Sequence, residues 1–548
     1  MVLHRLLAVV LFSLFIGTIS LHAQSNTSNA SPSPRIINIV NFIRQIEPRD
    51  SAITKDVLYQ TVVKQIELMN KYQLGGTFLL QYDALIDSHY QQLLKSLPKD
   101  KFEIGAWWEL PQPLIEKAGI KWRGEFAWDW HSDVGFSVGY TPAEREKIID
   151  VYFADFKKIF GYYPKSVASW VIDAHSLNYM YDKYKIVASA NCKDQVGTDG
   201  FTLWGGYWNQ AYYPSRVNAY MPAQHVEKQL PVPVFRMLGS DPIRQYADGR
   251  KVTTLEPVYK HGGGNEQWIN WFFQVFSTDP ALGFNYTQAG QENSFTWAGM
   301  QKGLEMQMPI IARMKQEGKV RVETMSESGR WFSNTYKVTP ATTFTVTKDL
   351  GDSDQKTIWY NSRFYRLNML WKNGNLRIAD IHLFNETVPD KYLNAVTKVN
   401  QSFFYTLPVV DGFQWGKANN LEGFRLMMNE NGKEVAVHGG DPAFTNTDNT
   451  TAHVSWPAGD GSFEIDLKEN KMTITGKGKT ADWFLDLYVA PDAKTPLQNI
   501  SDKSANYQFD GHAYKLTAMQ GSIEKSTNGG LYRIKPQGGS IELKLADQ

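Results

Sequence analysis

The sequence has almost no cysteine and no excess charge of either sign. Of 548 residues only Cys192 is a cysteine, which excludes an intrachain disulfide and a thiolate metal cluster. Lys and Arg number 57 against 56 Asp and Glu, and no basic run occurs. Such a balance of charges creates no net electrostatic attraction for nucleic acid or for an anionic membrane surface. Past the first twenty residues, no apolar run is long enough to span a bilayer.

The N-terminus has the pattern of a secretory signal. Arg5 supplies the positive charge, Leu6–Ile19 is the apolar run, and Ala23 is the small residue at the expected cleavage site. Residues 24–34, rich in Ser, Asn and Pro, are predicted to be a flexible leader. We therefore predict a signal peptide over residues 1–23 and a mature protein that is periplasmic or secreted, with no membrane span.

Aromatic residues are abundant, at 13% of the chain with 17 Trp and 27 Tyr. Residues 101–113 concentrate them: Phe102–Ala106 is predicted to be a buried strand, and Trp107, Trp108 and Glu109 follow where it ends. Aromatic faces beside one carboxylate suit a sugar, because rings stack on its C–H faces and an apolar wall raises a carboxyl pKa. The alternative is two core tryptophans beside a glutamate at the rim.

Strand-like and helix-like segments alternate from residue 35 to residue 338. Near-continuous apolar strands separated by helices are typical of a parallel sheet covered by helices. The helix with the strongest sequence signal is predicted to begin at the capping box of Thr141 and Glu144 and to end at Gly161. Trp297–Glu317 is predicted to be the last helix. We predict an α/β barrel domain over residues 35–338.

A different pattern begins at residue 339. Alternating strands are separated by turns such as Asn373-Gly374 and Asn431-Gly432, which predicts an all-β sandwich domain over residues 339–548. Before it, the aromatic-rich residues 201–246 are predicted to form a long excursion over the barrel mouth, where substrate loops commonly lie.

Polar side chains follow nearly every predicted barrel strand. In such barrels the chemistry gathers at the carboxyl ends of the strands. Glu109 and Asp173 each follow a well-formed strand next to tryptophan, so they are the predicted pair for glycoside cleavage, which needs two carboxyl groups. The residues predicted to contact the sugar are Arg44, Glu47, Gln81, Asp83, Trp107, Trp108, Trp128, His131, His175, Asp199, Trp204, Trp208 and Glu292.

A metal site competes with this interpretation. Asp129, His131, Asp173 and His175 are residue types that hold a divalent ion and activate water. No H-x-x-x-H spacing places two imidazoles on one helix face, and histidines at a rim are commonly hydrogen-bonding groups. A nucleophilic Cys192 is a weaker signal still, since strand ends often bury unreactive thiols.

Three stretches resemble the glycoside hydrolase/deacetylase superfamily: GGTFLLQYDAL after the first helix, KFEIGAWWE at a strand end, and FGYYPKSVASWVIDAH after a later helix. The resemblance implies the distorted seven-stranded β/α barrel shared by polysaccharide deacetylases and the family 57 and family 38 glycosidases. The block KIVASANCKDQVGTDGFTLWGGYW resembles exported bacterial proteins that pair this barrel with a β-sandwich.

Two motifs of the deacetylases are missing from the sequence. Deacetylases hold their metal with an Asp pair after the first strand and an H-x-x-x-H motif after the third. Neither motif occurs in this sequence. The resemblance then implies the metal-independent branch, with Glu109 as nucleophile or base, Asp173 as acid, and neither metal nor cofactor. The expected partner is an oligo- or polysaccharide substrate. A metal-dependent deacetylase and a non-catalytic glycan-binding protein remain the alternatives.

Overall fold

Strands and helices alternate through the first part of the chain, as predicted. The structure is a computed structural model that describes residues 33–245, 253–417, 421–478 and 482–546; the predicted signal peptide, 1–23, lies outside them. In chain order the first elements are β1 (Arg35–Ile43), α1 (Lys55–Lys71), β2 (Gly76–Leu80), α2 (Tyr82–Leu85), α3 (Ser88–Lys95), β3 (Phe102–Trp107), α4 (Gln112–Lys117), α5 (Pro142–Phe160), β4 (Ser166–Ala168), α6 (Ala174–Tyr184) and β5 (Ala188–Asn191).

Short strands and then longer helices complete this half of the chain. They are β6 (Gln195–Thr198), β7 (Phe201–Trp204), β8 (Ala211–Tyr212), β9 (Pro214–Ser215), β10 (Asn218–Pro222), β11 (Val234–Arg236), α7 (Glu266–Thr278), β12 (Asn285–Ala289), α8 (Trp297–Gln316), β13 (Arg321–Glu323) and α9 (Met325–Thr335). Because α9 follows α8, the prediction that the helix at 297–317 is the last one is wrong. The described helices include none long and apolar enough to cross a membrane.

The barrel sheet follows the order β12-β1-β2-β3-β4-β5-β11-β8, and β13 also pairs with β1. Successive strands are parallel up to β11, and β8 adds to it antiparallel. Between β8 and β12, the Gln210 side chain accepts a 2.8 Å hydrogen bond from the backbone N–H of Tyr286. The result is a nearly closed β/α barrel. It has nine strands within the described residues, so the expected count of seven is not confirmed.

Helix α5 shows how closely the local sequence specifies these elements. The Thr141 side chain accepts from the backbone N–H of Glu144, and the Glu144 carboxylate accepts from that of Thr141. Gly161 ends the helix with φ of 86°, in the left-handed region where glycine is favoured. The predicted cap and end of this helix are confirmed.

Aromatic rings fill the inside of the barrel below its mouth. Phe42 of β1 stacks on Trp107 of β3 with ring centroids 4.1 Å apart, and Trp170 meets Trp107 edge-on at 5.1 Å. Phe235 and Tyr286 belong to the same buried cluster. This layer is a packed floor, and the residues that follow these strands stand above it at the carboxyl end of the barrel.

From residue 342 onward the described chain consists mostly of antiparallel strands and connecting turns. The strands are β14 (Thr342–Val346), β15 (Gln355–Asn361), β16 (Tyr365–Lys372), β17 (Asn375–Leu383), β18 (Ser402–Tyr405), β19 (Leu407–Asp411), β20 (Gly423–Glu430), β21 (Lys433–Ala436), β22 (Ala443–Asn446), β23 (Ala452–Ala458), β24 (Gly461–Lys468), β25 (Lys471–Gly478), β26 (Trp483–Tyr488), β27 (Leu497–Ile500), β28 (Ser504–Phe509), β29 (His512–Gln520), β30 (Ser522–Lys525), β31 (Tyr532–Lys535) and β32 (Ser540–Lys544).

Most of these strands form two sheets around one core. One sheet follows β14-β15-β16-β17-β20-β26-β31-β30, with β19 and β21 attached, and the other follows β22-β23-β24-β25-β32-β29-β28-β27. Trp371, Trp456 and Tyr507 are among the side chains that both sheets bury together. Two sheets over a shared apolar core are the arrangement of a β-sandwich, as the sequence predicts.

Two features join the barrel half to the sandwich half. Strand β7 pairs in parallel with β18, in the three-stranded sheet β18-β7-β6. Nearby, a buried charge network links Arg236, Asp194, Arg366 and Asp380. The Asp194 carboxylate lies 2.8 Å from Arg236 and 2.7 Å from Arg366, and Arg366 lies 2.9 Å from Asp380. Ser33–Gln548 is accordingly one compact unit.

Candidate active site

Three glutamates surround one buried guanidinium at the carboxyl end of the barrel. Arg44 follows β1 directly, Glu109 follows β3, and Glu292 follows β12. Because parallel strands end at the same rim, polar residues just beyond them meet there. The Arg44 guanidinium lies 2.7 Å from Glu292, 3.2 Å from Glu109 and 3.3 Å from Glu47. All four are residues that the sequence predicts for the site, and the structure brings them together.

Arg44 is held from two further directions. Its guanidinium carbon lies 3.9 Å from the ring centre of Trp128, a cation–π contact. The Asn293 side chain accepts a 3.0 Å hydrogen bond from the backbone N–H of Arg44 and donates a 2.8 Å bond to its carbonyl. The loop after β12, which carries Glu292, therefore fixes the chain after β1, which carries Arg44.

A second arginine carries the charge network outward. Arg49 binds Glu47 through two hydrogen bonds of 2.8 and 2.7 Å and lies 3.4 Å from Asp199. Burial would raise the pKa of Glu47, but the hydrogen bonds from Arg49 and the charge of Arg44 outweigh it and lower that pKa. The Arg49 side chain is 35% exposed, so this pair lies at the mouth of the site.

Glu109 lies in an environment that favours its protonated form. The residue is 1% exposed, and burial raises its pKa to about 7. The charge of Glu292 raises that pKa further, whereas Arg44 opposes the shift. Its Oε1 atom is buried and has no hydrogen-bond partner among the described residues. A carboxyl group of this kind can hold a proton near neutral pH and donate it.

The Glu292 carboxylate, unlike that of Glu109, has a hydrogen-bond donor on each of its two oxygens. Its Oε2 accepts the 2.7 Å contact from Arg44, and its Oε1 accepts a 2.5 Å hydrogen bond from the Ser294 hydroxyl. The backbone N–H of Glu292 donates to the Gln291 side chain at 2.8 Å, and Gln291 in turn donates to Glu256 at 3.1 Å. Donors on both oxygens stabilise an ionised carboxylate.

Glu109 and Glu292 share one nitrogen of Arg44. Their Oε2 atoms lie 3.2 and 2.7 Å from its Nη2, so the sum of these two contacts is an upper limit on the distance between the two oxygens. That limit is close to the ~5–5.5 Å between the carboxyl groups of retaining glycosidases and below the ~6.5–9.5 Å of inverting ones. The geometry therefore suits a carboxylate and a carboxylic acid acting on one bond.

Other buried polar atoms near the mouth have no protein partner. Both side-chain polar atoms of Gln81 and Gln288, and the Trp128 indole nitrogen, have no hydrogen-bond partner among the described residues. Gln81 and Gln288 lie two positions beyond Leu79 and Tyr286, which belong to the aromatic layer inside the barrel. Since side chains alternate along a strand, both glutamines face the same interior. Buried polar groups of this kind are ordinarily satisfied by water or ligand.

Asp173 does not join this site, and here the structure corrects the predicted pair. Its carboxylate forms a fully buried ion pair with Arg145 at 2.9 Å and accepts 2.6 and 2.7 Å hydrogen bonds from the hydroxyls of Ser137 and Ser176. The backbone N–H of Ser176 also donates to it at 2.9 Å, which makes Asp173 the N-cap of α6. Both oxygens are occupied by structural partners, so we no longer assign Asp173 as the acid.

We expect Asp173→Asn to reduce stability and spare catalysis. The change leaves the Arg145 guanidinium buried without its counter-charge, and breaking a buried ion pair costs about 3–5 kcal/mol. The free energy of unfolding from denaturant titration should fall by at least about 2 kcal/mol, since Asn keeps some of the hydrogen bonds. Turnover per folded molecule should stay within about twofold. A stable variant without turnover would restore Asp173 to the site.

The predicted stacking tryptophans are mostly core residues, which corrects four of the five. Trp107 belongs to the barrel floor, and Trp108 is fully buried edge-on against Tyr152. Trp208 stacks on Trp359 at 4.5 Å, and the Trp204 indole donates to Asp411 at 2.6 Å. Of the five, Trp128 lies against the Arg44 guanidinium in the charged site.

The remaining predicted residues divide between the site and its surroundings. His131 lies 2.6 Å from Asp129 and stacks on Trp130. His175 is on α6, where its imidazole lies 3.0 Å from Glu146 of α5. The Asp83 carboxylate accepts a 2.8 Å bond from the backbone N–H of Gln45, and burial raises its pKa to about 6. Asp83 thus fixes the loop that carries Arg44.

The described residues do not supply the donor set of a metal-dependent deacetylase. Among them, no three His, Cys, Asp or Glu side chains are arranged so that they could hold a metal ion. The guanidinium of Arg44 instead lies among Glu47, Glu109 and Glu292. Cys192 is buried, and burial raises the pKa of its thiol to about 12, so it is no nucleophile near neutral pH.

Several residues of the mouth were not in the predicted set. Arg49 and Trp130 stand beside predicted residues, and Trp130 lies under Arg49 at 5.4 Å. Tyr259 is half-exposed, and its pKa is raised first by the negative charge of Glu256 and then by burial and by Glu292 and Asp199. Glu256 and Tyr259 come from irregular chain between β11 and α7, so no strand end marks them in the sequence.

Solved structures that are similar to this chain include the following three. A structure described as a glycoside hydrolase/deacetylase from Parabacteroides distasonis is 15% identical, with a TM-score of 0.49, over 69% of this chain and 91% of its own. A polysaccharide deacetylase structure from Mycobacterium smegmatis is 11% identical, with a TM-score of 0.35, over 58% and 95%. The 4-alpha-glucanotransferase of Thermococcus litoralis is 9% identical, with a TM-score of 0.30, over 93% and 97%.

These structures are at most 15% identical to this chain, with TM-scores below 0.5, so they carry no argument about its family. At such identities and TM-scores they assign no activity to this chain. No family model matches the chain, and no curated protein matches it. The fold is therefore established by the strand order of the barrel, and the function has to follow from the geometry around Arg44.

Proposed function

We propose that the protein is an exported carbohydrate-active enzyme, a retaining glycoside hydrolase in which Glu109 is the acid/base and Glu292 the nucleophile. One observation carries this proposal: the two carboxyl groups share a nitrogen of Arg44, while burial favours a proton on Glu109 and hydrogen-bond donors favour the anion of Glu292. Glycoside cleavage needs that division of roles between two acids.

The proposed reaction has two steps. Glu109 donates its proton to the glycosidic oxygen while Glu292 attacks the anomeric carbon, which gives a covalent glycosyl-enzyme and releases the leaving sugar. Glu109, now ionised, then takes a proton from water, which attacks the same carbon and frees Glu292. Arg44 contacts both acids, so it can stabilise whichever of them is the anion at each step.

The mouth offers groups suited to a sugar. Trp130 and Tyr259 present partly exposed rings, and the buried amides of Gln81 and Gln288 have no hydrogen-bond partner within the part of the chain that the structure describes. Export rests on the N-terminal sequence alone. We also propose that residues 35–338 are the catalytic barrel and 339–548 a companion sandwich.

The pKa of Glu109 predicts an alkaline loss of activity. An acid catalyst must be protonated, so kcat/KM should fall about tenfold per pH unit above the pKa of about 7 that burial gives Glu109. A profile of kcat/KM against pH measures this fall, which is the alkaline limb of the profile. Glu109→Gln should lower kcat by about 10²–10⁴-fold and abolish the limb. An unchanged limb in that variant would assign the titration to another group.

The direct test is the stereochemistry of a cleaved glycan. The purified protein is incubated with a panel of neutral oligo- and polysaccharides, and proton NMR follows the anomeric signals of the first products. Retention is expected, because the two acids are too close to admit a water between them and the sugar. Products of inverted configuration, or deacetylation without glycosidic cleavage, would refute the assignment.

A further inference from the structure

A cavity that is not lined by Arg44 or its glutamates lies where the three-stranded sheet β18-β7-β6 meets the sandwich. Its volume is about 270 Å³, and residues of β7, β17, β18, β19, β27 and β28 line it together with two connecting loops. The volume is near the lower end of the roughly 300–1,000 Å³ of ligand pockets. The proposed glycosidase reaction does not use this cavity.

The base of the cavity is polar, buried and rigid. His382 lies 3.1 Å from Asp411 through its Nε2 and 2.9 Å from Thr406 through its Nδ1. The Trp204 indole donates to the same Asp411 at 2.6 Å, and its ring packs on Phe413 at 4.2 Å. These side chains hold one another in place, so the cavity is shaped before any ligand arrives.

The walls and rim of the cavity contain the types of side chain that bind sugars. Tyr405 and Phe509 form an aromatic corner with ring centroids 5.7 Å apart, and Trp415 lies opposite in the lining. The exposed amides of Gln414 and Gln508 stand at the rim. Rings contact the C–H faces of a sugar while amides bind its hydroxyls. The rim charges, Lys494 and Asp510, are opposite in sign and favour no charged ligand.

The β6–β7 hairpin connects this cavity to the proposed active site. Asp199 at its turn contacts Arg49 at the mouth, and Trp204 at the end of β7 lines the cavity. They are five positions apart, so the two Cα atoms are at most about 18 Å apart. A glycan of a few sugar units is long enough to span that distance.

We infer that this cavity is a distal saccharide-binding site, which takes one neutral sugar residue of a glycan chain whose other end enters the barrel. The cavity would raise the affinity for long chains over short ones without taking part in bond cleavage. The inference rests on the proposed function for the identity of the chain, but the binding itself is independent of turnover.

Affinity gel electrophoresis of the full-length protein tests this site. Native gels contain one neutral polysaccharide each: starch, galactomannan, xylan or mixed-linkage β-glucan. Retardation of the wild-type protein is expected in at least one gel, with the apparent Kd raised about fivefold or more by Gln508→Ala and by Trp415→Ala. Gln508 is exposed, so its variant reports on binding even where loss of the more buried Trp415 disturbs folding.

Two controls separate this site from the proposed active site. Gln401→Ala removes an exposed amide that does not line the cavity and should leave retardation unchanged. Glu109→Gln should keep the retardation while losing turnover. Retardation that is unaffected by Gln508→Ala and Trp415→Ala, or absent in all four gels, overturns the inference. Cleavage without retardation would overturn this site alone, and retardation without cleavage would overturn only the proposed function.

Discussion

Glu292→Gln is expected to lower kcat by roughly 10³-fold or more. Removal of the nucleophile stops formation of the covalent intermediate, and losses of this order or larger are typical of such changes. The amide keeps the size of the side chain and still accepts a hydrogen bond from Arg44, so the fold should be preserved. Steady-state kinetics on the glycan found by product analysis gives kcat, and circular dichroism checks the fold.

Glu47→Gln is the matched control, because Glu47 contacts the same guanidinium but is bound on both oxygens by Arg49. Its kcat should fall by no more than about tenfold, since Glu47 positions Arg44 without touching the reacting bond. In Glu292→Ala, added azide should restore part of the rate by attacking the anomeric carbon in place of the missing carboxylate. Equal losses in Glu47→Gln and Glu292→Gln, with no azide rescue, would argue against a nucleophilic Glu292.

Arg366→Ala is expected to cause the largest loss of stability. The side chain is fully buried and contacts Asp194 at 2.7 Å and Asp380 at 2.9 Å. Its removal leaves two carboxylates buried without their common counter-charge, and breaking one buried pair already costs about 3–5 kcal/mol. Denaturation followed by tryptophan fluorescence should show a loss of at least that size in the free energy of unfolding.

Arg216→Ala provides the comparison, because Arg216 pairs with Asp182 at 3.4 Å in a largely exposed position. Exposed pairs contribute about 1 kcal/mol or less. Adding Asp380→Asn to Arg366→Ala should cost little more, or recover some stability, since an amide replaces a buried carboxylate that has lost its arginine. If Arg366→Ala and Arg216→Ala were equally mild, the buried network would not hold the two halves of the chain together.

The sequence predicts the fold well where its signals are local. The capping box of α5 and its terminal Gly161 can be recognised in the amino-acid sequence, and so can the change to alternating strands near residue 340. The sequence is a poor guide to elements whose formation depends on tertiary contacts. Helix α9 is one of them, because it contains Ser, Gly and Asn, which are weak helix formers.

The site was predictable in its members but not in its pairing. Arg44, Glu47, Glu109 and Glu292 all follow predicted strands, and convergence of strand ends brought them together. Asp173 follows a strand as well, yet it caps α6 and pairs with Arg145, a contact between residues 28 positions apart that no local pattern reveals. The same applies to the tryptophans, since a sequence does not show whether a ring faces a core or a cleft.

The buried charge network has a consequence for how such proteins can evolve. Asp194 belongs to the barrel half, whereas Arg366 and Asp380 belong to the sandwich half. A chain cut at the predicted boundary would expose Asp194 with one of its two guanidinium partners gone, and would strip β7 of its neighbour β18. The two halves therefore cannot be shuffled as independent modules.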